Sequence, residues 1–371
     1  MGLPSFKLEE YFSEHEFTAP HLFCVSDAEP FSMNEILQLA DTECRALWDR
    51  LGLGYTESRG MPLLREEIAA QYHSIDSTHV LCHCGAQEAI YCVMRSLLKK
   101  GDHVIVITPC YQSLKELPEV ITGNVTLIGL DAEKGWELDI EQLQNSIVPE
   151  TKMIVMNYPH NPTGALLSKT SFDAVIDIAR ARGVYLVCDE VYRLLEVDEN
   201  SRLPAVADAY EKGISINVLT KAYGLGGLRV GWIASQETKV ISKVSSYKNY
   251  TSICNAGPSE VLALIALRSS DALLSRNRAI VLENLELLDP FFEKYQTLFS
   301  WCRPKSGPIG FVKYQGDVER LTREVLSDAG ILLLPSSVYG YPANYFRIGF
   351  GRKNFSEVLT LFTSWVDQHL I

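Results

Sequence analysis

Residues 153–189, MIVMNYPHNPTGALLSKTSFDAVIDIARARGVYLVCD, decide the fold. The run opens on a short apolar stretch, 153–157, and continues through a loop dense in Asn and Pro. Phe172, Val175, Ile176 and Ala179 then recur at helical spacing until Gly183 ends the helix. A second apolar run, 184–188, follows and stops at Asp189. Strand, loop, helix and strand in that order make a βαβ unit. Its unbroken apolar strands suit a parallel sheet covered on both faces.

The same alternation extends outward from about residue 80 to 235, with strands expected at 103–108, 125–130, 153–157, 184–188, 214–219 and 228–234. Ala86, Ala89, Ile90, Val93, Met94 and Leu97 place a helix just after Gly85. Beyond residue 258 the pattern changes to a long helical stretch reaching about residue 295, then strands near 310–314 and 345–349. The expected architecture is a three-layer α/β/α large domain over 46–260 with a mostly parallel sheet. A smaller α+β domain covers 261–371, joined by the N-terminal segment 1–45.

Bulk properties narrow the function. A chain of 371 residues with 47% apolar and 22% charged residues is globular and long enough for two domains. A formal net charge of -12 disfavours nucleic acid or an anionic membrane as partner. The sequence has no apolar run of about 18 residues, the length a membrane span needs. The first residues lack a secretory layout, and the nine cysteines are odd in number and scattered, so the cytosol is the expected compartment. Cys82-His83-Cys84 resembles a metal clip, but alternation along a strand explains it better and no second ligand pair follows, so no metal is expected.

Several residues fall where open parallel sheets bind ligands, at the carboxyl ends of strands. Gly85, Ala86 and Gln87 join a strand to a helix start, where free N–H groups favour a phosphate, although a plain turn reads the same way. Tyr111 follows the 103–108 strand and brings a ring to the opening, or simply packs. Asn157-Tyr158-Pro159-His160-Asn161-Pro162-Thr163-Gly164 is a stiff loop with amides aimed inward and candidate cis X-Pro bonds, more specified than a turn requires. Asp189 ends a buried strand, which is costly unless a cation meets it; helix capping is the competing reading. Lys221 ends another buried run, where desolvation lowers an amine pKa unless the side chain snorkels out. Arg229 lies within Gly224-Leu225-Gly226-Gly227-Leu228-Arg229-Val230-Gly231, whose glycines permit close backbone approach and whose guanidinium can clamp a phosphate.

In this order the residues resemble the fold-type-I, pyridoxal-5'-phosphate-dependent aminotransferases of class I and II, across nearly the whole chain. The resemblance rests on the 157–164 loop (one substitution from the family pattern), Asp189-Glu190-Val191-Tyr192, Lys221 to Gly231, and Arg347-Ile348-Gly349-Phe350. It implies a ping-pong amino transfer to a 2-oxo acid, with Lys221 as Schiff-base and proton-shuttling residue. Asp189 would pair with the pyridine nitrogen, and Asn161 and Tyr192 with the phenolic oxygen. Tyr111 would stack on the ring. Ala86, Gln87, Thr220 and Arg229 would hold the phosphate, and Arg347 the substrate carboxylate. Tyr55, in Gly54-Tyr55-Thr56-Glu57-Ser58-Arg59-Gly60, matches the family tyrosine that reaches the neighbouring subunit's phosphate and so implies a homodimer with shared sites.

Two departures stand out. Val218 occupies the position of a phosphate-binding Ser, and Thr220, on the same face of an extended strand, is expected to compensate. The N-terminal loop reads Asp27-Ala28-Glu29-Pro30-Phe31, so Asp27 or Glu29 is expected either to face the pocket and favour an arginine-like substrate or to be a solvated acidic loop. This pattern is similar to the capreomycidine-synthase and arginine-oxidase-like branch of the fold, which makes a lyase, cyclase or oxidase the alternative to an aminotransferase. A non-catalytic cofactor-binding protein is the third class. It fits poorly with a chain that keeps Lys221, Asp189 and Arg347 and has no basic DNA-binding stretch.

Overall fold

Seven strands form the central sheet: β1 Val80–His83, β2 His103–Thr108, β3 Val125–Gly129, β4 Thr151–Asn157, β5 Tyr185–Asp189, β6 Gly213–Val218 and β7 Gly231–Ala234. This computed structural model describes residues 2–371. The spatial order is β1-β7-β6-β5-β4-β2-β3. All neighbours pair in parallel except β7, which runs antiparallel to β1 and β6.

Alternation along each strand explains the two covered faces. Val104, Val106, Met153 and Val155 point into one core cluster, and Ile105, Ile107, Ile154 and Met156 into another. Each fully buried aliphatic side chain of this kind contributes roughly 1.5–3 kcal/mol. The helices that bring those faces their cover are amphipathic in register: Ala86–Leu97 buries Ala89, Ile90, Val93 and Met94, and Lys169–Arg182 buries Phe172, Val175, Ile176 and Ala179. Gly183 ends the second in the left-handed conformation.

We label the helices used below α1 Lys7–His15, α2 Ala86–Leu97, α3 Thr238–Lys248, α4 Gly257–Arg268 and α5 Ser270–Lys294. The helical stretch expected over 258–295 is divided at Ser269 into α4 and α5. The reason is packing: α4 is buried at every position from Glu260 to Leu267 and packs on the helices Thr42–Asp49 and Pro62–Ala69, whereas α5 buries a single stripe and packs on the C-terminal helix Phe355–His369. A second sheet follows, with β8 Phe299–Trp301, β9 Ile309–Tyr314, β10 Leu334–Pro335 and β11 Tyr345–Gly349 in the antiparallel order β10-β11-β9-β8. Phe23 from the N-terminal segment stands in its core beside Phe355 and Phe362, and His21–Leu22 pairs with Ile331–Leu332.

The strand expected over 228–234 begins only at Gly231. Gly226–Leu228 is a 3-10 turn and Arg229 sits at φ 52, a left-handed conformation that no strand accommodates. Peptide bonds before Pro109, Pro159 and Pro162 are cis.

Candidate active site

The carboxyl ends of β4, β5 and β6 lie side by side, with Asn157 opposite Asp189 and Asp189 opposite Ile216. Above them opens a cavity of about 570 Å³. Its wall includes Ala86, Gln87, Tyr111, Asn161, Asp189, Tyr192, Thr220, Lys221, Arg229 and Arg347. The chain thus brings together residues spread over 262 positions, from Ala86 at 86 to Arg347 at 347. A second cavity of about 590 Å³, bordered by Trp136, Ser168 and Pro204, contains none of them.

One end of the cavity is built for an anion. Gly85 caps α2 at φ 87 with no side-chain cap, which leaves the first N–H groups of the helix free and the positive end of its dipole exposed. A Cβ on Gly85 would lie 2.5 Å from Arg229 Nη2. Gly231 is equally constrained, since a Cβ there would meet Ala86 N at 2.9 Å. The two glycines let guanidinium, strand and helix start converge on one point. Thr220 and Val218 border the same end.

The middle holds a buried acid and a half-buried amine. Asp189 is 5% exposed, and its carboxylate accepts one backbone bond, from Val191 N at 3.2 Å. Burial pushes its pKa up to about 6, against the opposing pull of that bond and of the Lys221 charge. Burial likewise pulls Lys221 below the ordinary lysine value. Lys221 Nζ donates to Ser26 Oγ at 2.9 Å and stands 5.9 Å from the Tyr192 ring centre. The Tyr192 hydroxyl is buried without a hydrogen-bond partner, an unpaired polar group facing the space beside Lys221.

Asn157 holds the loop in place. Its amide donates to Asp189 O at 2.7 Å and its Oδ1 accepts Asn161 N at 2.8 Å. Asn161 Oδ1 in turn accepts the Tyr339 hydroxyl at 3.0 Å and Arg347 Nη1 at 3.4 Å. Arg347 is 1% exposed, and its other partners are the Tyr339 hydroxyl at 2.6 Å and Cys24 O at 2.7 and 3.0 Å. Every one of these partners is neutral, so the buried guanidinium is poised for an anion.

The remaining wall comes from the N-terminus. Phe6, Glu9, Phe12 and Glu16 project from α1 and its flanks, joined by Ser26 and Asp27. Tyr111 packs on Phe6 at 5.2 Å and its hydroxyl donates to Glu9. Glu16 is raised above the ordinary carboxyl pKa by burial and by the neighbouring Asp27 and Glu9 charges. Of the two acidic loop residues singled out in the sequence, Asp27 faces the cavity, paired with Arg352 at 3.0 Å. Glu29 does not: its carboxylate turns away to accept Lys353 N at 3.0 Å. Tyr55 is 92% exposed and lies outside the cavity of its own chain.

Sequence reading missed Ser26, Tyr339 and the acidic face of α1. The spacing of Glu9, Phe12 and Glu16 on one helical face was the available signal for the last.

Comparison with known proteins gives a consistent result. The model of the family "Aminotransferase class I and II" matches residues 30–359. A crystal structure of a PLP-dependent aminotransferase from Streptococcus suis superposes with a TM-score of 0.93 at 31% identity, covering 99% of each chain. An aspartate aminotransferase of Thermotoga maritima is 27% identical over 85% of this chain and 82% of its own. A capreomycidine synthase of Streptomyces vinaceus is 27% identical over 94% of this chain and 90% of its own.

Proposed function

The chain belongs to the class I and II aminotransferases, and from that membership we propose that it transfers the amino group of a basic amino acid to a 2-oxo acid. Pyridoxal 5'-phosphate is the cofactor of this family. The residues present fit it: an anion cradle at Gly85, a buried Asp189, a half-buried Lys221 and an unpaired Tyr192 hydroxyl meet at one cavity. The observation that carries the reading is a buried carboxylate, Asp189, and a lysine amine, Lys221, lining a single cavity at the carboxyl ends of the strands.

When bound, the cofactor supplies a covalent electron sink for the amino acid. Lys221 would hold the cofactor through its amine and would then be the base for the Cα proton. Asp189 would hold a proton on the ring nitrogen, whose charge would give this buried carboxylate the counter-charge it lacks. Asn161 and Tyr192 orient the phenolic oxygen, and Tyr111 covers the ring. Ala86, Gln87, Thr220 and Arg229 bind the phosphate. Arg347 fixes the substrate carboxylate, and Phe6 and Phe12 exclude water at the mouth.

The acidic wall supports a cationic side chain as substrate. Glu9, Glu16 and Asp27 crowd like charges along it, and only Asp27 has an ion-paired arginine. Likeness to a capreomycidine synthase supports a second reading, a lyase, cyclase or oxidase acting on the same arginine-like substrate. We also propose a homodimer in which Tyr55 serves the partner's phosphate site. Its exposure supports this, together with that of Leu53, Tyr250 and Ile253 on two segments joined by the Thr56–Asn255 hydrogen bond. Nine unpaired cysteines support a reducing, cytoplasmic setting.

A half-reaction without keto acid, run across the common amino acids, tests the proposal. Arginine or lysine is expected to convert the cofactor to pyridoxamine phosphate, and Glu16→Gln to lower the preference for arginine over leucine by about tenfold. Leucine or aspartate reacting as well as arginine would refute the substrate class. Product formation without pyridoxamine phosphate would select the second reading.

A further inference from the structure

Glu88 lies in the first turn of α2, behind the phosphate cradle and outside the cavity. Its carboxylate is bound from two directions. Oε2 accepts Cys84 N at 2.6 Å, from the turn that leads into Gly85. Oε1 accepts the Thr251 hydroxyl at 2.5 Å and Ser252 N at 3.0 Å, from the turn after α3. The wholly buried His83 adds Nδ1 at 3.5 Å from Oε2. Burial opposes ionisation of Glu88, yet the nearby His83 ring and the bonds from Ser252, Thr251 and Cys84 together hold its carboxyl well below the usual carboxylate range.

The second turn leads to the surface. Thr251 and Ser252 are flanked by Tyr250, 87% exposed, and Ile253, 50% exposed and at φ 67. Three residues further on, Asn255 O accepts the Thr56 hydroxyl at 2.7 Å, and Asn255 Nδ2 donates back to His83 O at 2.8 Å. Lys248 Nζ, buried, donates to Ser58 O at 2.7 Å. The segment bearing the exposed Leu53 and Tyr55 is therefore tied to the same turn that Glu88 grips.

We propose that Glu88 is a positioning residue that couples binding of pyridoxal phosphate to association of two copies of this chain. One end of its carboxylate fixes the turn that presents the cradle, and the other fixes the turn that presents Tyr250 and Ile253. Ordering either turn lowers the cost of ordering the other, so each binding event favours its counterpart by the same factor. Only a carboxylate serves here. Cys84 N, Ser252 N and the Thr251 hydroxyl all donate, and an amide would turn a donor toward one of them.

The proposal rests on the cofactor and homodimer readings above. The test is the dimer dissociation constant by sedimentation equilibrium, with and without saturating pyridoxal phosphate. The full-length wild type is compared with Glu88→Gln and Thr251→Val. In the wild type the cofactor is expected to tighten the dimer at least about tenfold. In Glu88→Gln that factor falls to the part that Tyr55's own contact with the partner's phosphate site supplies, and Thr251→Val, which removes one donor and leaves the cradle contact, gives an intermediate value. A factor unchanged in both variants overturns this proposal and leaves the dimer standing. Should Glu88→Gln not fold, an unchanged factor in Thr251→Val suffices to overturn it. A wild type that stays monomeric with bound cofactor overturns the homodimer reading, and this coupling with it.

Discussion

The two ends of the cavity are built differently. The end proposed for the cofactor stands on the sheet: Asn157, Asp189 and Val218 terminate adjacent strands, and Gly85 opens the helix that packs on them. The end proposed for the substrate hangs on distant pieces of chain, with Cys24 O, Tyr339 and Asn161 meeting around Arg347 and α1 closing over it. Rigid strand ends suit chemistry shared by a whole family, whereas a wall assembled from the N-terminus can change charge without disturbing them. That division predicts separable effects.

The largest effect belongs to the substrate end. Arg347→Lys removes the planar fork and is expected to lower kcat/KM roughly 10–100-fold, with cofactor affinity unchanged in a fluorescence titration. Loss of cofactor affinity in this variant would break the division between the two ends. Gly85→Ala should do the reverse. Its φ of 87 and the 2.5 Å approach to Arg229 strain the cradle, so cofactor binding is expected to weaken by about tenfold or more while KM at saturating cofactor holds.

Asp189 gives a pH signature of the cofactor end. Its folded pKa of about 6 exceeds the ordinary value of 3.8, so between those values the folded chain holds a proton that the unfolded chain has lost. Stability of the cofactor-free protein therefore falls as pH rises through that window. Glu190 and Glu260, both raised to about 7 by burial, add to the same trend. Asp189→Asn removes only the first contribution. Denaturant unfolding of the cofactor-free proteins is expected to find the variant gaining on the wild type from pH 4 to pH 6. A wild type that gains on the variant over that range would contradict this. The smallest effect is that of Thr220→Val, which forfeits one neutral hydrogen bond and should weaken cofactor affinity roughly fivefold. Unchanged affinity would mean that Thr220 does not compensate for Val218.

The same division governs what the sequence discloses. Asn157 to Gly164, Asp189 to Tyr192 and Lys221 to Gly231 are short local patterns at strand ends, so they carry the family resemblance, and it is the resemblance that implies their roles. The strand limits at Gly231 and the break at Ser269 were not legible, because a left-handed Arg229 and the packing of α4 against a different body from α5 decide them. Ser26 and Tyr339 stayed hidden for a related reason. Ser26 meets Lys221 across 195 positions and Tyr339 meets Asn161 across 178, contacts that only the folded chain creates. Glu29 misled because a loop carboxylate gives no sign in sequence of which way it turns.

The account stands on a covalent bond between the amine of Lys221 and the aldehyde of pyridoxal phosphate. Borohydride reduction of the purified protein with excess cofactor, followed by peptide mapping, tests it most directly. A single phosphopyridoxyl group on Lys221, absent in Lys221→Ala, is the predicted result. A protein that stays colourless and yields no adduct at that residue would contradict it.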